Sequence, residues 1–209
     1  MERNDSLQPV IEQLEGLFSV MNAHFYHGEL EKPVITVSPD TTKGAYGWCT
    51  SWRAWSDKDA DADDEKDDAG YYEINLCAEW LSRPFEETAG TLLHEMAHLY
   101  NLMQGVKDTS RGGFYHNKEF KKAAESHGLT VEKTPKYGYS QTALTPDALK
   151  FLTSFNTRFL LHRKAAPTRA KKAAQSSRKY ICPLCEMTVR ATKEVNIMCG
   201  DCGETMIPV

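Results

Sequence analysis

The stretch Thr-Leu-Leu-His-Glu-Met-Ala-His-Leu-Tyr, residues 91–100, decides how the rest of the chain is interpreted. Its two histidines, His94 and His98, are four residues apart, so on a helix they lie on one face and both imidazoles can bind one metal ion. Glu95 lies beside them, in the order of histidines and glutamate that is typical of helical zinc sites. The stretch therefore predicts a helix that binds zinc through one face.

The flanking sequence predicts that this stretch is helical. At about 100° per residue, the apolar side chains fall on one broad face and the two histidines fall on another. Pro84 is suited to a first helical turn, and Gly105 ends the pattern after about 20 residues. The apolar face consists of Ala89, Leu92, Leu93, Met96, Tyr100 and Met103. Because a five-residue motif also occurs by chance, the alternative is a core helix whose histidines only make hydrogen bonds.

The length and composition predict one substantial domain and a smaller module. The chain has 209 residues, of which 41% are hydrophobic, enough for a core and a short second unit. No apolar run approaches the roughly 18 residues of a membrane span. The first residues also lack the basic and then apolar pattern of a signal peptide. We therefore expect a cytoplasmic protein with no membrane partner.

The six cysteines of a cytoplasmic protein indicate metal ligands or free thiols rather than disulfides. Cys182 and Cys185 form one closely spaced pair, and Cys199 and Cys202 form a second pair after thirteen intervening residues. This spacing predicts a closed, structural four-cysteine zinc site. Zinc binding can supply ~10–16 kcal/mol, which allows so small a module to fold.

The net charge of −4 hides two segments of opposite charge. Residues 57–68 contain eight acids and two lysines, which predicts a solvated loop between strands. Residues 158–179 contain eight lysines and arginines and no acid. Their composition is that of a linker, and contact with the phosphates of nucleic acid is the functional alternative.

The segments before the metal-binding helix predict one helix followed by short strands. Residues 7–25 have apolar side chains at helical spacing, whereas residues 33–37, 45–55 and 71–77 have the residue types and alternation of strands. The alternation in 45–55 places aromatic side chains on one face, which we interpret as core packing, with a peptide groove as the alternative. We expect strand 71–77 to lie beside the metal helix, where it would pair with an extended substrate.

A catalytic zinc ion usually has three protein ligands and an open fourth position, so one more ligand is needed. The metzincin pattern is excluded, because Asn101 and Gln104 stand where it requires glycine and histidine. The remaining candidates are His116, Glu119, Glu125 and His127. Gly112-Gly113 predicts a flexible loop that delivers His116 to the start of a second helix. We therefore predict His116 as the third ligand.

At this point the chain resembles the SprT-like zinc metallopeptidases, the family of the DNA-repair protease Spartan. The resemblance rests on the first helix with the segment Phe-Tyr-His-Gly-Glu-Leu at 25–30, on residues 94–98, and on His116 followed by Phe120. It covers about residues 10 to 130. The cysteine module is similar to the zinc ribbon at the carboxyl end of bacterial SprT proteins.

The resemblance implies a minimal gluzincin-like α+β fold with a three-histidine zinc site. The ligands carry over to His94, His98 and His116, and Glu95 carries over as the general base. Where family members commonly flank the third histidine with glycines, this chain has Tyr115 and Asn117. The acidic segment is a further departure, and both bear on access to the site and on substrate preference.

These observations predict a metallopeptidase domain at 7–160, a basic linker at 161–179 and a zinc ribbon at 180–209. The expected function is zinc-dependent hydrolysis of peptide bonds in protein substrates, with one catalytic and one structural zinc ion. The resemblance implies substrates bound or cross-linked to DNA, and the basic linker and ribbon would bind DNA without regard to its sequence.

The alternative function is that of a zinc adaptor that binds nucleic acid or protein and has no protease activity. A fourth protein ligand, such as Glu119 or Glu125, would favour this alternative, because it would close the zinc site. An enzyme also needs a group that stabilises the oxyanion. The sequence leaves this open among Tyr115, Tyr137 and Tyr139.

Overall fold

The chain divides into two compact units, residues 1–165 and 166–209. The structure, a computed structural model, describes residues 6–40, 44–56, 70–155, 161–164 and 177–209. The acidic loop predicted at 57–68 and most of the linker predicted at 161–179 lie outside these described residues. Within them, no helix has both the length and the apolar character needed to cross a membrane.

The described part of the first unit combines four helices with two small sheets, which confirms the predicted α+β class. The helices are α1 (Gln8–Phe25), α2 (Phe85–Met103), α3 (Lys118–Ser126) and α4 (Pro146–Thr153). The strands are β1 (Val34–Ser38), β2 (Gly47–Cys49), β3 (Glu73–Cys77), β4 (Thr109–Ser110), β5 (Tyr115–His116), β6 (Leu129–Thr134) and β7 (Gly138–Leu144). A short 3-10 helix, Ala78–Trp80, connects β3 to the segment before α2.

Helix α1 forms where its apolar spacing predicts. Pro9 occupies the first turn, where its missing N–H costs nothing, and five apolar side chains on one face are buried. The helix ends at Phe25, and Gly28, which has a φ of 78°, follows it and donates its N–H to the Asn22 carbonyl. The buried residues are Val10, Leu14, Leu17, Phe18 and Met21.

The first sheet has the order β1-β3-β2, so β3 lies in its centre. Strand β3 runs parallel to β1 and antiparallel to β2, and both of its hydrogen-bonding edges are therefore used. The expectation that strand 71–77 pairs with a substrate is consequently wrong. The edge strands of this sheet are β1 and β2, and β2 lies against Thr91 and Glu95 of α2.

The segment predicted as a strand at 45–55 is shorter than expected, and its aromatic side chains are not core. Only Gly47–Cys49 form β2, with an isolated bridge between Trp55 and Tyr71 further on. Trp52 is 64% exposed and Tyr46 is 47% exposed. Both residues lie outside β2, and the Tyr46 ring packs at the surface on Arg83 and Trp80, at 4.0 and 5.0 Å, rather than in the core.

The second sheet has the order β4-β5-β7-β6 and carries His116 on its short strand β5. Strand β5 meets β7 where His116 pairs with Gly138. Gly138 has a φ of 70°, and a Cβ at this position would overlap the carbonyl oxygen of His116. Glycine is therefore required for β7 to approach β5 this closely.

The core of the first unit surrounds α2. Leu92, Leu93, Met96 and Leu99 on this helix are fully buried, and they belong to the same cluster as the apolar face of α1 and Phe120 of α3. The apolar side chains of α2 therefore turn one face of the helix towards the core. The two histidines are thereby left on the face that α3 and the second sheet approach.

The second unit is small and contains one described sheet of three strands. These are β8 (Arg178–Ile181), β9 (Thr188–Ala191) and β10 (Ile207–Pro208), in the order β10-β8-β9. Strand β8 begins two residues before the predicted start of the module at residue 180. The unit buries Tyr180, Met206, Cys182 and Cys199 as its own core.

We expect Gly138→Ala to destabilise the first unit by about 2–4 kcal/mol, through the left-handed backbone and the clash with His116. The matched control is Gly28→Ala, since Gly28 also has a positive φ but has open space around its Cβ position. It should cost only about 1 kcal/mol. Urea unfolding of both variants measures the difference, and equal costs would show that the approach of β7 to β5 does not need glycine.

Candidate metal centre

Three histidine side chains from two elements converge on one point. The Nε2 atom of His116 lies 3.2 Å from Nε2 of His94 and 3.1 Å from Nε2 of His98. His94 and His98 come from α2, and His116 comes from β5. The structure therefore brings together the three histidines that the sequence predicted as ligands.

The outer nitrogens of two of these rings are already engaged. Nδ1 of His98 lies 2.7 Å from a carboxylate oxygen of Asp108, and Nδ1 of His94 lies 3.0 Å from the Thr142 hydroxyl. A carboxylate only accepts, so it holds the proton on Nδ1 of His98 and leaves the Nε2 lone pair facing the other rings. Such an arrangement can bind a cation at the meeting point of the Nε2 atoms.

The donor set fits a zinc ion. Nitrogen ligands at roughly 2.0–2.1 Å in a tetrahedral arrangement are separated by about 3.3 Å, close to the observed separations of 3.1 and 3.2 Å. Among the described residues, no fourth histidine, cysteine or carboxylate joins this group of three. The arrangement thus leaves one position of a tetrahedral ion for water or substrate.

The surroundings favour neutral imidazoles at two of the three positions. Burial lowers the pKa of His94 well below its usual value, and burial together with the charge of His98 lowers the pKa of His116 to about 4. Burial also lowers the pKa of His98, but the hydrogen bond to Asp108 and the nearby carboxylate charges outweigh this effect, so its pKa is raised. Neutral imidazole is the form that binds a metal.

The ring of Phe120 packs against all three imidazole rings. Its ring centroid lies 4.6, 4.5 and 4.6 Å from those of His94, His98 and His116. Phe120 is fully buried on α3, and its ring restricts the motion of the three imidazole rings that pack on it. A ligand set packed on a rigid side chain loses little freedom when it binds an ion.

Glu95 is buried beside the histidines, with only 5% of its surface exposed. Burial raises its pKa to about 7, although the backbone N–H of Cys49 donates to its carboxylate and opposes this rise. Gly47 allows this contact, since a Cβ on Gly47 would lie 2.6 Å from the Asn75 carbonyl oxygen and 3.4 Å from the Glu95 carboxylate. Strand β2 therefore lies directly against the glutamate.

Two polar residues of the site were not found by sequence reasoning. Asp108 accepts hydrogen bonds from His98 and, at 3.1 Å, from the amide of Asn101. Thr142 on β7 contacts His94. Metal-binding histidines commonly pair with a carboxylate or hydroxyl, but the separation along the chain is not fixed, so no spacing identified Asp108 or Thr142.

The residues that flank His116 have structural roles in this chain. Asn117 caps α3, because its side chain accepts from the N–H groups of Glu119 and Phe120 at 2.7 and 3.3 Å. The ring of Tyr115 lies against Gly138. The departures from the family's glycines thus fix the start of α3 and the contact with β7.

The other candidate residues lie elsewhere or at the edge of the site. Glu119 and Glu125 are exposed, and His127 stacks on Tyr26 at 4.1 Å. The histidine site opens into a large cleft that Tyr137 lines, whereas Tyr115 and Tyr139 do not line it. Of the three tyrosines considered for oxyanion stabilisation, Tyr137 therefore remains a candidate.

The cleft is bordered by several aromatic side chains. Trp48 and Trp52 lie along β2 and the segment after it, and Phe114, 67% exposed, lies on the turn between β4 and β5. The peptide-groove interpretation of the aromatic stretch at 45–55 therefore agrees with the structure better than core packing does. An open cleft of this kind admits an extended chain.

The second unit contains a separate group of four cysteines. The sulfur atoms of Cys182, Cys185, Cys199 and Cys202 all lie within 4.8 Å of one another. The backbone N–H of Cys185 lowers the pKa of the Cys182 thiol, which favours the thiolate that binds metal. The group fits a closed zinc site with four sulfur ligands.

Comparison with known proteins identifies the family. The model of the SprT-like family matches residues 14–139, and the chain belongs to this family. The match extends from α1 to β7 and includes the three histidines and Glu95. Searches of curated proteins and of solved structures gave no match.

We expect Asp108→Asn to weaken zinc binding at the histidine site by about 10–100-fold, because it removes the charge that holds the His98 tautomer. Competition with a chromophoric chelator measures this affinity, and the four-cysteine group should be unaffected. Asp147→Asn, at an exposed position in the first turn of α4, is the matched control. Equal affinities of the two variants would show that Asp108 does not support the ligand.

Proposed function

We propose that the protein is a zinc-dependent endopeptidase of the HExxH type. The observation that carries this proposal is the meeting of three imidazole Nε2 atoms beside the buried carboxylate of Glu95, at the base of an open cleft. A binding module needs neither an open coordination position nor a buried base. Membership in the SprT-like family supports a metallopeptidase-like domain.

In this proposal His94, His98 and His116 hold the zinc ion. Bound zinc would supply a Lewis acid that polarises the peptide carbonyl and makes water easier to deprotonate. Glu95 would take a proton from the attacking water and return it to the departing amine. A carboxyl with a pKa near 7 in the protein is well suited to both steps, since it accepts and releases a proton at neutral pH.

The substrate would bind along the free edge of β2. Thr50 donates its N–H to Glu73 in β3, so the alternate N–H of Cys49 points to the other edge, where it meets Glu95. An extended peptide can pair with such an edge through its main chain, which gives affinity without a required sequence. The same contact would place the scissile bond near Glu95.

We also propose a gluzincin-like domain fold and a structural zinc ion on the four cysteines, so that the second unit is a zinc ribbon. The order of the helices, and the packing of α2 against the edge strand β2, support the gluzincin-like fold. The convergence of the four cysteine sulfur atoms within 4.8 Å of one another supports the structural zinc ion, because four thiolates can close a tetrahedral zinc site.

The adaptor alternative is less well supported. Glu119 and Glu125, the residues that would close the site, are exposed, and Glu125 pairs with Lys121 on the helix surface. Within the described residues the histidine group therefore keeps an open position. A closed structural site would be expected to have four protein ligands.

DNA binding through the linker and ribbon, with DNA-bound proteins as substrates, is a separate proposal. It rests on the eight basic residues at 158–179. In the described part of the second unit, four basic residues are balanced by four acidic ones. The basic linker would thus contribute most of the attraction to phosphate. A cytoplasmic location is likewise proposed from the sequence.

We expect Glu95→Gln to retain both zinc ions and the fold but to lose hydrolysis of unfolded protein substrates by at least about 100-fold, since it removes the general base. Zinc content and cleavage of a purified unfolded protein are measured together. Glu125→Gln, which changes an exposed carboxylate, is the control. A Glu95→Gln rate equal to that of the wild type would exclude Glu95 as the base.

A further inference from the structure

One wall of the cleft beside the histidines is formed by α2 and β7. Gly90 and His94 are four residues apart on α2, so they share one face of the helix, about 5.4 Å apart along its axis. Thr142 and Leu144 are two residues apart on β7 and also share a face. Thr142 contacts His94, and a Cβ on Gly90 would lie 3.7 Å from Cγ of Leu144. The pair Gly90 and Leu144 therefore lies next to the histidine site along the same helix-strand contact.

Helix α4 adds an apolar side chain at this place. Strand β7 ends at Leu144, and the next residue, Thr145, caps α4 by accepting from the N–H of Ala148. Helix α4 packs against both α2 and β7, and its Leu149 is 39% exposed. Gly90, Leu144 and Leu149 all line the cleft, and we name the space beside them the Gly90 niche.

Neither packing nor backbone conformation requires glycine at position 90. The residue lies within the helical range of α2, where glycine is less stabilising than alanine because it has more backbone freedom to lose. In the described part of the chain, Leu144 is the only residue outside the surrounding helix with an atom within 4 Å of the Cβ position, at an ordinary contact distance. The absent side chain thus leaves space that opens into the cleft.

The direction of β2 decides which part of a substrate would reach this niche. Tyr46, just before β2, packs on Arg83, shortly before α2, and Cys49 at the end of β2 meets Glu95. Strand β2 and helix α2 therefore run past the site in the same direction. A substrate that pairs antiparallel to β2, the commoner kind of pairing, runs the opposite way. Its residue after the scissile bond then lies towards the amino end of α2, where Gly90 is.

On the basis of the proposed endopeptidase function, we propose that the Gly90 niche binds the side chain of the substrate residue that follows the scissile bond. This side chain is apolar, such as that of leucine or methionine. Leu144 and Leu149 present only hydrocarbon, so an apolar side chain gains by leaving water there. A polar side chain would lose its hydrogen bonds to water without replacing them.

The charges beside the niche disfavour an acidic side chain. Glu86 and Glu87 precede Gly90 by about one turn of α2, are exposed and line the cleft. Arg83 lies 3.7 Å from the Glu87 carboxylate and offsets one of these two charges. One negative charge therefore remains at this end of the cleft and repels a carboxylate on the substrate.

The test is calorimetric titration of the zinc-loaded full chain with two peptide hydroxamates that differ only in the arm beside the hydroxamate, isobutyl in one and hydrogen in the other. The hydroxamate oxygens bind an accessible zinc ion, so the pair measures what the arm contributes without any hydrolysis. We expect the isobutyl compound to bind the wild type about 10-fold more tightly, as for an aliphatic arm that is partly removed from water.

Two variants of the niche should reduce this advantage. Gly90→Leu fills the space and should make the two affinities equal. Leu149→Ser removes part of the apolar wall at a partly exposed position and should reduce the advantage about 3-fold. The matched control is Gly16→Leu, which replaces another helical glycine, in α1, where a Cβ has open space, and it should keep the advantage.

Equal binding of the two hydroxamates to the wild type, or no binding of either, would overturn the proposal. An advantage that survives in both Gly90→Leu and Leu149→Ser would also overturn it. So would tighter binding of a third hydroxamate with an aminobutyl arm, because the carboxylates of α2 would then select the side chain instead of the leucines.

Cleavage of a mixed peptide library by the same proteins separates this inference from the proposed function. Hydrolysis with leucine or methionine enriched directly after the cleaved bond supports both. Hydrolysis without that enrichment would overturn the inference and leave the endopeptidase function in place. An isobutyl advantage without any hydrolysis would support the niche as a binding site and contradict the endopeptidase function.

Discussion

The packing of three imidazole rings against the single ring of Phe120 is the contact on which the rest of the first unit depends. The three centroid distances of 4.5 to 4.6 Å require α3 to lie directly against α2. Asn117 starts α3 one residue after His116, so the cap of the helix and the position of the third histidine are set together. The site is thus a consequence of how α3 begins and where it packs.

A second close approach places the edge strand against the glutamate. Gly47 has no side chain, and this lets β2 come within contact distance of Thr91 and Glu95 on α2. The same approach buries the Glu95 carboxylate, which raises its pKa to about 7, and turns the Cys49 N–H towards it. The features proposed to bind the substrate and to move the proton therefore arise from one strand-helix contact.

The sequence predicted the elements whose signals are local. The histidine spacing placed His94 and His98 on one face of α2, the apolar period located α1, and the cysteine spacing located the group in the second unit. What could not be predicted depends on distant pairings. The central position of β3, the exposure of Trp52 and the contact of Asp108 with His98 follow from sheet order and loop path, which no local period encodes. Glu119 and His127 were reasonable ligand candidates until the path of α3 placed them away from His94.

A zinc-edge anomalous difference map from crystals of the full chain, grown with zinc, tests the central claim most directly. The account predicts a peak about 2.0–2.1 Å from Nε2 of His94, His98 and His116, with no fourth protein ligand and with Glu95 uncoordinated. The four cysteines should hold a separate peak. Absence of a peak among the histidines, or a carboxylate completing its coordination, would contradict the account.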